Sequence, residues 1–270
     1  MSKSKVENKM TTYKKLENIL SASKIKVLHK MTSIKKAANH NYMVALLSKK
    51  IFETVHTSYG FDSNIYKNEF KSIKNINLIF IEEDQTLSHS KQRVISSLLK
   101  NFRVNDLNII ISDIETKIEE IDIEIYKNIK PHDMYALSSE LTYRYSTGEF
   151  KSINVYSSIH DGKPKTIVPI SNLETPKNFK YEDAVNSKTL FMPSMDLVLE
   201  KAFLDYLNGI VSYYYTNGKY IDLKKTLLKH ESSIDHVTEK LDELKGSLNK
   251  IRQYKLTEDI LLSYKRSDDD

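Results

Sequence analysis

A heptad pattern near the C-terminus constrains the fold more than any other feature of this chain. Between residues 234 and 251, apolar side chains recur at spacings that alternate between three and four residues. An average of 3.5 residues is the repeat of a helix that packs along a single partner helix. The pattern therefore predicts a long helix that needs a partner, with contacts at Ile234, Val237, Leu241, Leu244, Leu248 and Ile251.

The partner helix is predicted at the other end of the chain. Residues 12–57 contain neither glycine nor proline, and apolar side chains recur there with helical spacing. These side chains are Leu16, Leu20, Val27, Ile34, Ala38, Leu46, Leu47 and Ile51. We expect the two helices to pair in antiparallel fashion, because the region between them forms a domain of its own.

The C-terminal helix is predicted to begin after Pro193 and to continue to Tyr264. Ser194 is suited to cap its first turn, and Asp196 favours the positive end of the helix dipole. About seventy residues at about 1.5 Å each would span roughly 100 Å, more than the central domain can cover. Gly218 leaves open whether the helix is continuous, since one glycine costs only about 1 kcal/mol in a helix.

Short strands and helices alternate in the middle of the chain. Runs of β-branched residues typical of buried strands are interrupted by segments with helical spacing. The predicted order is strand 77–81, helix 91–102, strand 107–111, helix 133–146, strand 153–157 and strand 165–170. This alternation predicts a small α/β unit over about residues 72–172.

Basic charge is concentrated at the N-terminal end. The whole chain has a net charge of +5, whereas its first 50 residues hold twelve lysines and two glutamates, a formal charge of +10. Such an end is suited to phosphate, to anionic lipid or to an acidic protein surface. A solvated lysine-rich face explains the same charge, so charge alone does not choose among these.

Composition favours a cytoplasmic protein. The chain has no cysteine, which excludes disulfides, thiolate metal sites and cysteine redox chemistry. No apolar stretch reaches the roughly 18 residues of a membrane span, and the N-terminus lacks the apolar core of a signal peptide. We therefore expect neither a membrane span nor a secretory signal.

No pattern indicates catalysis or cofactor binding. The six glycines are spaced too widely for a P-loop or a Gly-x-Gly-x-x-Gly loop. His230 and His236 are six residues apart and lie on different helix faces, so they do not share a metal. Residues 115–124 are rich in glutamate, which we interpret as an exposed helix with alternating charge. The N-terminal lysines lack the arginines and aromatics of a nucleic-acid reader, so we expect no catalytic residue, cofactor, metal or nucleic-acid partner.

A compact motif, Asn249-Lys250-x-Arg252-Gln253-x-x-Leu256-Thr257, overlaps the end of the heptad pattern. It resembles the Asn-Lys-x-Arg-Gln-x-x-Ile-Thr motif of the γ subunit, or central stalk, of F-type ATP synthases. Without a gap, Phe191-x-Pro193-Ser194 and Tyr206-Leu207 fall where that family has Phe-Glu-Pro-Ser and Tyr-Leu. The C-terminal region is therefore similar to this family over some seventy residues.

The similarity continues more weakly through the rest of the chain. Lys24-Ile25 and Lys30-Met31-x-Ser33-x-x-Lys36 resemble the first helix of the family. Residues 139–149 and Val168-Pro169-Ile170 look like its central helix and its Leu-Pro-Leu segment. The resemblance covers about residues 12–264 and is strongest at the C-terminal end.

Two departures point to a diverged, γ-like member. After its first strand the family has a Ser-Asp-Arg-Gly-Leu-Cys-Gly-Gly turn near the foot of the stalk. Here residues 83–90 keep only Asp84 and Leu87 of that turn, so the foot loop is expected to differ in shape. His29 stands where the family has a methionine.

The resemblance implies a noncatalytic rotor subunit that turns inside a ring of α- and β-type F1 ATPase subunits. It places one set of residues at contacts with the β-type subunits: Lys24, Lys26, Lys30, Lys35, Lys36, Arg252, Gln253 and Thr257. It also allows an ε-type subunit and a proton-conducting membrane ring as partners, and a cytoplasmic complex at the inner face of the cell membrane. The alternative is a structural adaptor that links an F1-like ATPase to gliding or surface machinery.

The sequence as a whole predicts an α/β fold with a long antiparallel coiled coil of N- and C-terminal helices plus a central Rossmann-like α/β head domain. The predicted parts are a flexible basic N-terminus (1–11), the N-terminal helix (12–58), the central domain (72–190), the C-terminal helix (193–264) and an acidic tail (265–270).

Overall fold

Four helices and five strands make up the described part of the chain. The computed structural model describes residues 2–60, 73–81, 88–112, 123–127, 129–173 and 194–267. The elements are α1 (Lys3–Tyr59), β1 (Lys74–Ile81), α2 (Ser88–Asn101), β2 (Leu107–Ser112), β3 (Ile123–Lys127), α3 (Pro131–Ser146), β4 (Phe150–Tyr156), β5 (Lys165–Val168) and α4 (Met195–Ser267). Single 3-10 turns follow β4 at Ser158–His160 and β5 at Ile170–Asn172.

The chain divides into two compact units. The terminal unit comprises Met1–Met31 and Leu223–Asp270, and the sheet unit comprises Thr32–Asp222. Each long helix therefore contributes residues to both units. Within the sheet unit, Leu46 of α1 and Phe203 of α4 belong to the same buried cluster as the sheet, so the core of the α/β unit includes parts of both long helices.

In the terminal unit the two ends of the chain pair in antiparallel fashion. The Nζ of Lys24 lies 2.9 Å from Oε1 of Glu231, and Oγ1 of Thr238 lies 3.5 Å from Oε1 of Glu17. Residues nearer the start of α1 thus contact residues nearer the end of α4, so the two helices run antiparallel. The coiled-coil geometry itself stays a prediction. All heptad positions are withdrawn from solvent: Val237, Leu241 and Leu248 are buried, and Ile234, Leu244 and Ile251 are half-buried.

On the α1 side, the structure differs in part from the prediction. Val27 is buried as expected, but Leu16 is 42% exposed. The helix begins at Lys3, so residues 3–11, expected to be flexible, are helical. Val6 is fully buried, and the burial of an apolar side chain favours an ordered first turn over a frayed one.

Helix α4 begins as the sequence predicts and continues past Gly218. The N–H of Leu197 lies 3.4 Å from Oγ of Ser194, which gives Ser194 the geometry of an N-cap. Asp196 lies in the first turn. The helix runs without a break to Ser267, because one glycine costs less than the interruption of a packed helix.

A five-stranded sheet forms the centre of the sheet unit, with strand order β3-β2-β1-β4-β5. β1 pairs in parallel with both β2 and β4, and β3 is parallel to β2. β5 is antiparallel to β4, so the sheet is mixed. The α/β class is confirmed, while the Rossmann-like description stays a prediction.

The two faces of the sheet are covered differently. One face packs through Leu78 and Ile109 into a large cluster that contains residues of α1, α3 and α4. The other face packs through Ile79 and Ile110 against Val94 and Leu98 of α2. Alternate residues of one strand therefore enter different layers, as the period of two in a strand requires.

Strand β3 corrects the interpretation of residues 115–124 as a charged helix at the last two residues of that segment. Of that segment the structure describes residues 123 and 124, and both belong to the edge strand Ile123–Lys127. Glu124 accepts a hydrogen bond from Arg144 of α3 at 2.9 Å. Glu124 therefore lies on an edge strand and pairs with a neighbouring helix.

Among the described residues, no helix combines the length and the apolarity that a membrane span requires.

Candidate partner-binding site

Helix α4 continues beyond the point where α1 begins. In the pairs Lys24 with Glu231 and Glu17 with Thr238, the two residue numbers add to 255. On this register the first described residue, Ser2, lies opposite about residue 253. Because α4 extends to Ser267, its last turns have no described residue of α1 beside them.

We call residues 252–262 the α4 tip, and every one of them is exposed. Tyr254 is 77% exposed and Leu256 is 61% exposed. Ile260, Leu261 and Leu262 are each more than half exposed. Five large apolar side chains are thus exposed within eleven residues of one helix, which makes the tip a candidate contact surface.

Three of the predicted contact residues lie on this tip. Arg252, Gln253 and Thr257 are all exposed, and Oγ1 of Thr257 donates to the main-chain oxygen of Gln253 at 3.0 Å. Gln253 and Thr257 are one turn apart and share a helix face. The arrangement offers a guanidinium, which can bind a carboxylate through two parallel hydrogen bonds, next to an amide that both donates and accepts.

The five predicted lysines do not fall into one unit. Lys24, Lys26 and Lys30 lie in the terminal unit, whereas Lys35 and Lys36 lie in the sheet unit. Lys26 and Lys30 are exposed and one turn apart, so they share a helix face. Lys24 is half-buried and already pairs with a glutamate of α4, which makes it a less available contact than the other two.

The remaining predicted site, the foot loop with Asp84 and Leu87, lies outside the described residues. His29, the other departure from the family pattern, is exposed on α1. Within the described part of the chain, no group of three or more histidine, cysteine, aspartate or glutamate residues is placed to hold a metal ion.

The apolar residues of the tip are the main feature that sequence reasoning missed. Leu256 entered only as one letter of the motif, and Tyr254 and Ile260 were not singled out. The signal was present in the sequence, because the heptad positions stop at Ile251 while apolar residues continue to Leu262. Reading it required the register of the helix pair, which the structure provides.

No protein-family model matches this chain. A chain of the rotor of the Euglena gracilis mitochondrial ATP synthase in rotational state 1 is 11% identical, with a TM-score of 0.40, over 94% of this chain and 98% of that one. A chain in the OSCP/F1/c-ring structure of the same synthase in rotational state 3 is 12% identical, with a TM-score of 0.41, over 96% and 91%. A chain in the central stalk and c-ring of the Tetrahymena thermophila mitochondrial ATP synthase is 13% identical, with a TM-score of 0.49, over 80% and 99%.

Proposed function

We propose that this chain is a noncatalytic, γ-like central-stalk (rotor) subunit of an F1-type or F1-like ATPase. It couples ATP hydrolysis or synthesis in a ring of α- and β-type subunits to rotation. The sequence support is the C-terminal motif and its ungapped register with Ser194 and Tyr206. The structural support, and the observation that carries the proposal, is the α4 tip.

The distribution of apolar residues around the tip favours an enclosing partner. Successive residues of an α-helix are rotated by about 100°, so Tyr254, Leu256, Ile260, Leu261 and Leu262 are distributed around the whole circumference. A flat surface or a groove would cover only one side of such a helix. A central cavity in a ring of subunits would cover all of them.

The exposure of the tip also favours a partner. In the described part of the chain, the apolar side chains of residues 252–262 stay in contact with water. Exposed apolar side chains add a hydration cost that a protein cavity removes. The tip is therefore more stable inside an assembly than in solution.

The charged contacts are suited to guiding rather than to tight binding. Exposed ion pairs are worth only about 0–1 kcal/mol each, so Lys26 and Lys30 would attract acidic surfaces of β-type subunits without fixing one angle of the helix. Arg252 at the tip is suited to a carboxylate of the surrounding ring. Weak, repeated contacts of this kind are what a turning subunit needs.

An ε-type subunit and a membrane ring are further partners in this proposal, which locates the complex at the inner face of the cell membrane. The adaptor function uses the same contacts with an F1-like ATPase but requires no rotation. The two functions differ in whether ATP turnover stops when the tip is fixed to the ring.

Co-purification from the native host tests the proposal. The tagged chain is expected to recover α- and β-type ATPase subunits, and Leu256→Asp combined with Leu261→Asp is expected to lose them. Leu228→Asp is the matched control, because Leu228 is 57% exposed on the same helix of the same unit but lies outside the tip. Recovery of the chain without α- or β-type subunits would contradict the proposal, as would equal loss in the control.

A further inference from the structure

A row of polar side chains crosses four strands of the sheet near the middle of β1. Asn77 of β1 lies in register with Asn108 of β2 and with Asn154 of β4. Asn154 in turn pairs with Thr166 of β5. Asn77 and Asn108 are each 2% exposed, and buried amides of this kind are retained only where their hydrogen bonds are satisfied.

The carboxylate of Asp106 fixes the direction of the hydrogen bonds in this row. An ionised carboxylate only accepts, so the Nδ2 of Asn77, 3.3 Å from Oδ2 of Asp106, must donate. The Oδ1 of Asn77 is then left to accept from Nδ2 of Asn154 at 3.2 Å. The Oδ1 of Asn154 consequently accepts the hydroxyl proton of Thr166 at 2.8 Å.

A second, shorter chain of hydrogen bonds ends on the same carboxylate. The main-chain N–H of Asn75 donates to Oδ1 of Asp106 at 2.8 Å, and its Nδ2 lies 3.2 Å from Oδ2. The Oδ1 of Asn75 therefore accepts the hydroxyl proton of Ser152 at 2.7 Å. The protons of both hydroxyls, Ser152 and Thr166, are committed to the network, and only their lone pairs remain for another molecule.

These two hydroxyls line a polar pocket of about 640 Å³, within the range of small-molecule sites. Arg103 and Lys151 stand at the same pocket and are exposed. None of the described residues that line it is acidic, and Asp106 is already occupied by amide donors. At Ser152 and Thr166 the pocket therefore presents hydroxyl oxygens that accept hydrogen bonds, next to the cationic donors Arg103 and Lys151.

We propose that this pocket binds a small phosphorylated polyol, such as a sugar phosphate. The phosphate would lie against Arg103 and Lys151 through charge-assisted hydrogen bonds. The hydroxyls of the ligand would donate to Oγ of Ser152 and Oγ1 of Thr166. Inorganic phosphate fits less well, because it brings few protons for these acceptors and its negative charge faces their lone pairs.

A second basic groove on the sheet unit provides a matched comparison. It is lined by Arg93, Lys100, Lys163 and Asp161, and a guanidinium nitrogen of Arg93 lies 4.0 Å from the carboxylate of Asp161. The groove has three cationic side chains where the proposed pocket has two, and one of the three already has a carboxylate nearby. Substitutions there change the charge of the sheet unit without touching the polar network.

Calorimetric titration of the full chain tests the proposal with glucose 6-phosphate, ribose 5-phosphate and glycerol 3-phosphate as probes, and with glucose and inorganic phosphate for comparison. At least one phosphorylated polyol is expected to bind saturably and more tightly than either comparison compound. Arg103→Ala combined with Lys151→Ala should weaken that binding about tenfold or more. Arg93→Ala combined with Lys163→Ala should leave it unchanged.

A further double variant tests the two hydroxyl oxygens. Ser152→Ala combined with Thr166→Val should weaken binding of the phosphorylated polyol and leave binding of inorganic phosphate unchanged. Equal weakening by the Arg93 and Lys163 variants would mean attraction to net charge only and would overturn the site. Equal binding of inorganic phosphate and all three probes, or binding of no probe, would overturn the proposed ligand class. These results do not depend on whether the chain binds ATPase subunits.

Discussion

Gly209 lies at a close approach of α1 and α4 in the sheet unit, and replacing it with alanine should destabilise that unit. A Cβ atom at this position would lie 2.7 Å from the main-chain oxygen of Asn41 and 2.9 Å from the main-chain nitrogen of Ala45. Both are backbone atoms of a packed helix, so neither can rotate away. The substitution therefore forces the two helices apart.

The size of the effect follows from two opposing terms. Alanine is about 1 kcal/mol more favourable than glycine in a helix interior, whereas overpacking a tight contact costs about 1–3 kcal/mol. A Cβ atom at Gly246, in the same helix, would have no neighbouring atom within 4 Å. Gly246→Ala therefore gains the helix propensity of alanine without any overpacking. We expect Gly246→Ala to stabilise by about 0.5–1 kcal/mol and Gly209→Ala to destabilise by about 1 kcal/mol.

Urea unfolding measures both variants. The ring centroids of Tyr42 and Tyr213 lie 4.8 Å apart in the sheet unit, so near-ultraviolet circular dichroism of the tyrosines follows this unit, while the far-ultraviolet signal follows the helices of the whole chain. Gly209→Ala should lower the midpoint of the tyrosine signal, and Gly246→Ala should raise that of the helix signal. Stabilisation by Gly209→Ala similar to that by Gly246→Ala would refute the close helix contact.

Three further predictions concern single side chains. Leu241→Ala should destabilise the terminal unit by about 2–5 kcal/mol, because removing a buried side chain leaves a cavity. Leu256→Ala should change the stability of the isolated chain by less than about 0.5 kcal/mol. Urea unfolding compares the two variants, and equal losses of stability would contradict the exposure of the tip. Burial, with nearby carboxylates, raises the pKa of Tyr126 to about 12, so its contribution to stability is complete below the ordinary pKa of about 10 and is lost as the pH rises through about 12. Between pH about 10 and about 12, the free energy of unfolding should therefore fall less steeply with pH in Tyr126→Phe than in the unsubstituted chain. The same fall in both proteins would contradict this. Lys49 is buried and its Nζ donates to the main-chain oxygen of Leu173, so Lys49→Ala should cost about 1–3 kcal/mol in thermal unfolding, and a neutral result would contradict that bond.

Elements with a clear local period were predicted from the sequence. The strands around residues 77–81 and 107–111 and the helix after residue 91 match β1, β2 and α2 because alternation and helical spacing depend only on near neighbours. Ser194 was recognised as a helix cap for the same reason. The face of α4 from Ile234 to Ile251 is buried or half-buried as the apolar spacing predicted, whereas the coiled coil stays a prediction.

Features that depend on distant pairing were not predictable in the same way. β3 is short and carries Glu124 among apolar residues, and its strand character comes from pairing with β2. The polar row needs Asn77 and Asn154 side by side, although they are 77 residues apart. The α4 tip becomes visible only when the helix register is known. In each case the missing information is which segments lie next to each other.

The most direct test of the rotor proposal fixes the tip to the ring. The chain has no cysteine, so Arg252→Cys introduces its single thiol, which can be joined by a disulfide to a cysteine placed in a β-type subunit of the complex. ATP turnover is measured before oxidation, after oxidation and after reduction. A rotor predicts that turnover stops when the disulfide forms and returns when it is reduced; unimpeded turnover with a complete cross-link would contradict rotation and would favour the adaptor.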